Sequence, residues 1–275
     1  MKAPNVMSMS LLRARYGHDA PDEIIVNDVV RGLLSHRSVR HFLSDPLPEG
    51  TIETLVAAAQ SAATSSNMQA WSVVAVETSE RRARLAQLAA QQGFIARAPL
   101  FLCWLADLSR LERVGLSNGR QLEGIAYLEA FIVALVDAAL AAQNAVVAAE
   151  SLGLGAVYVG ALRNEPAAVA AELGLPSNCA AVFGLAVGYP DPSRPAEVKP
   201  RLPQAAVLHR ERYDHASEGP AVARYDETLG DFSRSQRMAD ENWTGRMLDR
   251  VGTRASLRGR DRLREILNAL GFGLR

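Results

Sequence analysis

The seven residues His36-Arg37-Ser38-Val39-Arg40-His41-Phe42 gather two guanidiniums, two imidazoles and a hydroxyl into one short run. Donors at that density suit an anion, because Arg forks and backbone N–H groups match the oxygens of a phosphate. Taken alone, a basic run of this kind is as readily a solvated surface with structural ion pairs. A second cationic segment, Lys199-Pro200-Arg201-Leu202-Pro203, is stiffened by prolines, which lowers the entropy cost of presenting its charges. A third group, Thr64-Ser65-Ser66-Asn67-Met68-Gln69, is a polar knot whose hydroxyls and primary amides both donate and accept.

Each group needs an element to hold it. The basic run alternates as extended chain and follows a short helix over Val29–Leu34, for which Asn27 or Asp28 is the cap. Ser44-Asp45-Pro46 breaks the chain after it. Residues 49–63 place Ile52, Leu55, Val56, Ala59 and Ala62 at helical spacing, so the polar knot lies between that helix and a strand over Trp71–Val76. A surface helix over Arg81–Gln92 is read as ending at Gly93. Pro99–Ala106 is apolar on both faces, as a central strand would be.

From about Gly124 to Ser151 the helical period returns, with Glu129, Asp137, Asn144 and Glu150 as a thin polar stripe on an apolar cylinder. One chain of this size has difficulty covering such a helix, so a second copy is expected to cover part of it. A membrane span is not expected, because the longest uninterrupted apolar run, Ala130–Val136, is only seven residues. Gly153-Leu154-Gly155 stops the helix, and Ala156–Ala161 reads as a strand entering a glycine turn. The G-x-G there follows a helix and lacks the third glycine at the right offset, so no Rossmann fingerprint is present. Asn164–Leu173 reads as a helix with Pro166 in its first turn, and Val182–Gly188 as a buried strand.

Composition narrows the class further. The chain has 275 residues, 48% of them hydrophobic, and a formal net charge of zero, so nothing global calls for nucleic acid or an anionic membrane. From Arg234 to Arg275 there are ten Arg against five Asp plus Glu, so this tail is basic, but aromatic residues are few there and a nucleic-acid surface is the weaker reading. Cys103 and Cys179 stand far apart and outside any C-x-x-C pattern, which argues against a disulfide framework or a zinc site. Residues 1–23 have no continuous apolar segment of a secretory signal, so the expected location is cytoplasmic and this stretch is read as a loosely attached extension.

The order of these pieces carries a resemblance. HRSVRHF, TSSNMQAW, the apolar helix running into SLGLGAVYVGALRN, the strand ending FGLAVGYP, and KPRLP followed by HRERYD resemble the FMN-dependent nitroreductase family. They look most like its NADPH-preferring branch of oxygen-insensitive nitroreductases and flavin reductases. The resemblance runs from about Asp28 to Leu229. It implies an α+β fold with a mixed central sheet flanked by helices, and a long buried helix at a homodimer interface. The implied division is an N-terminal extension over 1–26, an FMN-binding domain over 27–230, and an Arg-rich helical extension over 231–275 packed on the dimer.

By match to the family, His36, Arg37 and Ser38 with Lys199 and Arg201 would hold the FMN phosphate. Arg40 would lie by the pyrimidine edge of the isoalloxazine, where a fixed cation stabilises the charge gained on reduction. Thr64, Ser65, Asn67 and Gln69 would bond the ring and ribityl chain, in this family from the partner subunit. Tyr158, Val159, Gly160 and Ala161 would pass the flavin face, and Gln92 and Phe94 would border the cofactor. Two features depart from the branch. Asn67 resembles the broader family, and the arginine expected to meet the extra phosphate of NADPH is replaced by Gln236, with Arg234 and Arg237 on either side as candidates.

The implied reaction passes a hydride from NADPH or NADH to FMN and then to a quinone, nitroaromatic or similar small-molecule acceptor, in a ping-pong sequence through one pocket. It needs stacking and positioning rather than a dedicated acid, base or metal, and no residue is assigned as catalytic in that sense. The rival readings are a flavin reductase that delivers reduced FMN to a partner monooxygenase, and a flavin-holding module without turnover.

Overall fold

The computed structural model describes residues 6–238 and 242–275. In chain order it contains helices and strands α1 (Val6–Tyr16), α2 (Asp28–Leu34), α3 (Thr51–Gln60), β1 (Trp71–Val76), α4 (Ser79–Leu88), α5 (Gly93–Arg97), β2 (Leu100–Asp107), α6 (Ser109–Ser117), α7 (Leu128–Ser151), β3 (Gly155–Val159), α8 (Pro166–Leu173), β4 (Cys179–Gly188), α9 (Glu218–Ser235), α10 (Trp243–Val251) and α11 (Leu263–Ala269). Two compact units divide these elements. Residues 38–196 and 258–275 form the sheet unit, and residues 1–37 and 197–257 the helical unit.

The sheet unit is built on four strands in the order β1-β2-β4-β3. All three ladders are antiparallel, and among the described residues the parallel component is an isolated bridge between Ser38 and Ala156. Period-two alternation explains why β2 is buried throughout. Phe101, Cys103 and Leu105 enter a core with Leu85 of α4, Ala89 just after it, Ile95 of α5, Leu162 in the turn after β3 and Val169 of α8. Leu100, Leu102 and Trp104 point the other way, into a core with Leu55 and Ala59 of α3 and Ala141, Ala145 and Ala149 of α7. Burial raises the pKa of the Cys103 thiol, and burial together with the Asp107 charge pushes the Cys179 thiol up to about 12, so both are inert thiols at neutral pH.

Helix α7 has 24 residues and spans about 36 Å. Its alanine face, Ala134, Ala138, Ala141, Ala142, Ala145 and Ala149, is fully buried in the sheet unit. On the opposite side Ile132, Leu135, Val136 and Leu140 are 37–48% exposed and follow helical spacing. By length and composition alone the helix is long and apolar enough to cross a bilayer, a test that a core helix also passes. Its buried alanine face makes it a core helix of this fold. The expected polar stripe is also corrected: Asp137 is only 1% exposed, and Asn144 Nδ2 donates to Ala58 O at 3.1 Å, so both point into protein.

Two further expectations in the sheet unit differ. The helix read over Arg81–Gln92 stops at Leu88, because Ala90 and Gln91 turn through φ of 58°; Gln92-Gly93 begins α5 instead of ending α4. The strand expected to reach Ala161 ends at Val159, and Gly160–Asn164 is a 3₁₀ turn.

In the helical unit the N-terminal segment is not loosely attached. Leu12 is 1% exposed, Arg224 Nε of α9 donates to both carboxylate oxygens of Asp19 at 2.9 and 3.0 Å, and Gly17 (φ 59°) lies against Thr228. A left-handed glycine lets α1 turn directly onto α9, where a side chain would be both strained and crowded. The chain from Leu12 onward therefore packs as part of this unit.

Candidate functional site

The helical unit brings two of the cationic segments together. Asn27 caps α2, its side chain accepting Val30 N–H at 2.9 Å, and α2 delivers His36 and Arg37 from its C-terminal end. Arg15 of α1 is 6% exposed and spreads its guanidinium over three carbonyls: Nη2 donates to Leu34 O at 2.8 Å and His36 O at 3.1 Å, and Nη1 to Lys199 O at 2.7 Å. The backbone answers in return, with Arg201 N–H donating to Arg15 O at 2.8 Å. The Tyr225 hydroxyl donates to Pro200 O at 3.0 Å, and burial keeps its pKa raised.

Arg37 and Arg201 are exposed, whereas Lys199 and His36 are half-buried. Like charges held close together in one unit repel, and a multiply charged anion with several acceptor oxygens relieves that repulsion. The donor chemistry here fits a phosphate monoester. Arg15 and Tyr225, which hold the pieces, were not anticipated from the sequence.

In the sheet unit the chain from Ser38 to Leu43 lies along the sheet margin. Ser38 bridges Ala156, Val39 N–H donates to Ala156 O at 3.0 Å, and Leu43 N–H donates to Tyr189 O at 2.9 Å. This approach requires Gly155, since a Cβ there would fall 2.6 Å from Val39 Cγ2. Arg40 is exposed as a residue, while the protein around its guanidinium lowers its pKa by desolvation. An arginine remains charged across the working range even so. His41 is shifted down, first by desolvation and then by Arg194 and Arg97, and remains neutral near pH 7.

At the end of β3, Tyr158 stands edge-on to Phe183 with ring centroids 5.3 Å apart and donates to Gln143 Oε1 at 3.4 Å. Burial raises its pKa, so it is a neutral phenol. Val159 and Ala161 are buried, and Phe94 packs on the same cluster, which gathers three of the expected residues. The carbonyl of Gln92 accepts Ile95 N–H at 3.0 Å. Gly160 O accepts from Arg260 Nη2 at 3.1 Å, and Arg260 Nε also donates to Asn164 Oδ1 at 2.9 Å.

The polar knot is organised by Asp137. Its carboxylate accepts the Thr64 hydroxyl at 2.6 Å, Ser65 N–H at 3.2 Å and Ala70 N–H at 3.1 Å. Thr64 Oγ1 in turn accepts Gln69 N–H at 2.9 Å. The loop turns through Ser66, Asn67 and Gln69 at φ of 48–54°, a conformation that needs such outside support in non-glycine residues. Ser65, Asn67 and Gln69 are exposed. Thr64 gives its one hydroxyl proton to Asp137, which pins the loop to α7.

A model of the nitroreductase family matches residues 33–189, and a model of that family's C-terminal domain matches residues 199–275. The chain belongs to the nitroreductase family. It is 37% identical over 229 residues to the FMN reductase (NADPH) of Bacillus subtilis (strain 168), covering 82% of this chain and 91% of that one. It is 36% identical over 214 residues to the oxygen-insensitive NADPH nitroreductase of Salmonella typhimurium, covering 77% and 86%. The solved NADPH:FMN oxidoreductase from Vibrio harveyi, complexed with NAD+, superposes with a TM-score of 0.80 at 32% identity, covering 90% of this chain and all of that one.

Within this nitroreductase-family fold, Arg234 and Arg237, the candidates for the extra phosphate of NADPH, lie at and just after the C-terminal end of α9. Arg234 Nη2 pairs with Asp231 Oδ1 at 2.5 Å. It lines a hollow with Asp226, Glu227, Asp231 and Asp249, where the surplus charge is negative. Arg237 is exposed in the turn after α9 with φ of 51°. A negative hollow repels a phosphate, so the field around Arg234 is unfavourable to one. Among the described residues no cluster of His, Cys, Asp and Glu is arranged to hold a metal ion.

Proposed function

We propose that this protein is an FMN-dependent oxidoreductase that passes a hydride from NAD(P)H to quinones, nitroaromatics or similar electrophiles. The observation that carries the reading is the convergence of His36-Arg37 and Lys199-Arg201 on the single guanidinium of Arg15. Bound FMN supplies the two-electron relay between reductant and acceptor. His36, Arg37, Ser38, Lys199 and Arg201 hold its phosphate by charge and hydrogen bonding. Arg40 offers a fixed positive charge to the ring system, and Ser65, Asn67 and Gln69 offer adaptable donors and acceptors. Tyr158, Val159, Gly160 and Ala161, with Gln92 and Phe94, border the ring. NADPH is the preferred reductant on this reading, supported by the names of the relatives and not by Arg234.

A homodimer belongs to the reading. It is supported by the bulky apolar face of α7, which is exposed in one chain and is the kind of surface a second copy covers. A cytoplasmic location goes with the use of NAD(P)H. A second reading, favoured by the relative named FMN reductase, is that reduced FMN leaves the protein and serves a separate acceptor or monooxygenase.

The test is an absorbance spectrum of the purified protein after incubation with FMN. A retained flavin spectrum that bleaches anaerobically with NADPH and recovers with a quinone supports the oxidoreductase. Absence of any retained or turned-over flavin would remove both readings, and turnover of free FMN with weak retention would favour the second.

A further inference from the structure

Residues 1–32 lie outside both family matches, yet they supply the group that holds the cationic segments together. We propose that α1 is a built-in clamp on the phosphate cradle, with Arg15 as a positioning residue that sets how firmly the chain retains FMN. This rests on the proposed FMN site.

Residues 35–37 and 199–201 form two loops that each present a backbone carbonyl to Arg15. The Arg15 guanidinium supplies a rigid planar template that reaches both loops through three carbonyls. Its own carbonyl is bound by Arg201 N–H, which fixes the backbone that carries the second arginine. Burial of Arg15 excludes competing water, and a phosphate dianion bound by the two loops would offset the cost of a desolvated cation.

The clamp is itself anchored. Asp19, just after α1, pairs with Arg224, and Gly17 packs on Thr228, so α9 sets where Arg15 can reach. Tyr225, next to Arg224, holds Pro200 O and makes the same helix a support for the Lys199-Arg201 segment. Such an arrangement gives preorganisation: two mutually repelling cationic loops are held ready before the phosphate arrives. It bears directly on whether flavin stays as a prosthetic group or exchanges as a substrate.

The experiment compares FMN with riboflavin, which lacks the phosphate, by flavin-fluorescence titration of full-length wild type and Arg15→Gln. A partner that orients a binding group is typically worth about 10- to 100-fold in affinity, and a rise of that size in the FMN Kd is expected. The riboflavin Kd should change by less than about twofold. A general structural defect would weaken both flavins alike, and that outcome, or an unchanged FMN-to-riboflavin ratio, would overturn the clamp. If Arg15→Gln does not fold, Arg15→Lys is subject to the same two outcomes, since an ammonium keeps the charge but cannot span three carbonyls. A wild-type protein that fails to distinguish FMN from riboflavin would instead overturn the phosphate site itself, and the clamp with it.

Discussion

The Asp137 carboxylate in the middle of α7 accepts the Thr64 hydroxyl at 2.6 Å across 73 residues of sequence, and so ties the longest helix to the polar loop. Asp137→Asn keeps the volume but replaces one carboxylate oxygen by a donor, set either against Ser65 N–H or against the Thr64 hydroxyl and Ala70 N–H. Leaving a buried donor unmatched costs about 1–3 kcal/mol, so the chemical denaturation midpoint should fall accordingly. The loop should also lose its shape, lowering kcat/KM for the acceptor. Unchanged stability and unchanged kcat/KM would show that the loop is held by other means.

Gly155 and Val39 are in contact at the margin of the sheet, and a methyl group at Gly155 has nowhere to go. Gly155→Ala should destabilise the fold by about 1–3 kcal/mol through overpacking. Val39→Ala opens space on the other side of that contact. The double variant should therefore be more stable than the sum of the single losses, a coupling readable in a double-mutant cycle. Strict additivity would refute the close approach.

The apolar face of α7 is expected to be the surface on which two copies meet. Introducing charge there, as Ile132→Glu with Leu140→Glu, should shift light scattering from dimer to monomer at micromolar concentration without disturbing the buried alanine face. A wild type that is monomeric throughout would count against the assembly.

Asp107 provides a pH signature. Burial alone would raise its pKa, but hydrogen bonds from Ser109 and Ser72, the Arg110 charge and Ser109 N–H outweigh this and leave it lowered. A carboxyl with a lower pKa in the folded state stabilises the protein fully above its unfolded pKa of about 3.9, and this contribution disappears as pH falls through the folded value. The stability difference between wild type and Asp107→Asn should hold from pH 7 down to about 4 and then shrink. A difference that grows on acidification would contradict the assignment.

Kinetics address the shared pocket and the choice of reductant. Varying NADPH at several quinone concentrations should give parallel double-reciprocal lines, and intersecting lines would require both reactants bound together. Because Arg234 is neutralised by Asp231 in an acidic hollow, Arg234→Ala should alter the NADPH-to-NADH preference by less than about twofold. A larger loss confined to NADPH would support a phosphate role for Arg234.

Local pattern made much of the fold legible. The twofold apolar run of β2, the helical period of α3 and α7, the Asn27 cap and Pro166 at the start of α8 each depend on residues within a few positions of one another. The motifs around His36, Thr64, Gly160 and Lys199, in that order, were enough to suggest the family. Failures were local where a left-handed turn had no glycine to announce it, as at Ala90 and Gln91.

Only the tertiary structure decided which distant groups hold the site. Arg15 binds carbonyls, and every residue has a carbonyl, so no residue type marks its partners in the sequence. Asp137 looked like one member of a polar stripe, because helical spacing records direction around an axis and not what lies in that direction. Side-chain chemistry was written locally, whereas the backbone acceptors and buried counter-groups that position it exist only once the chain has packed.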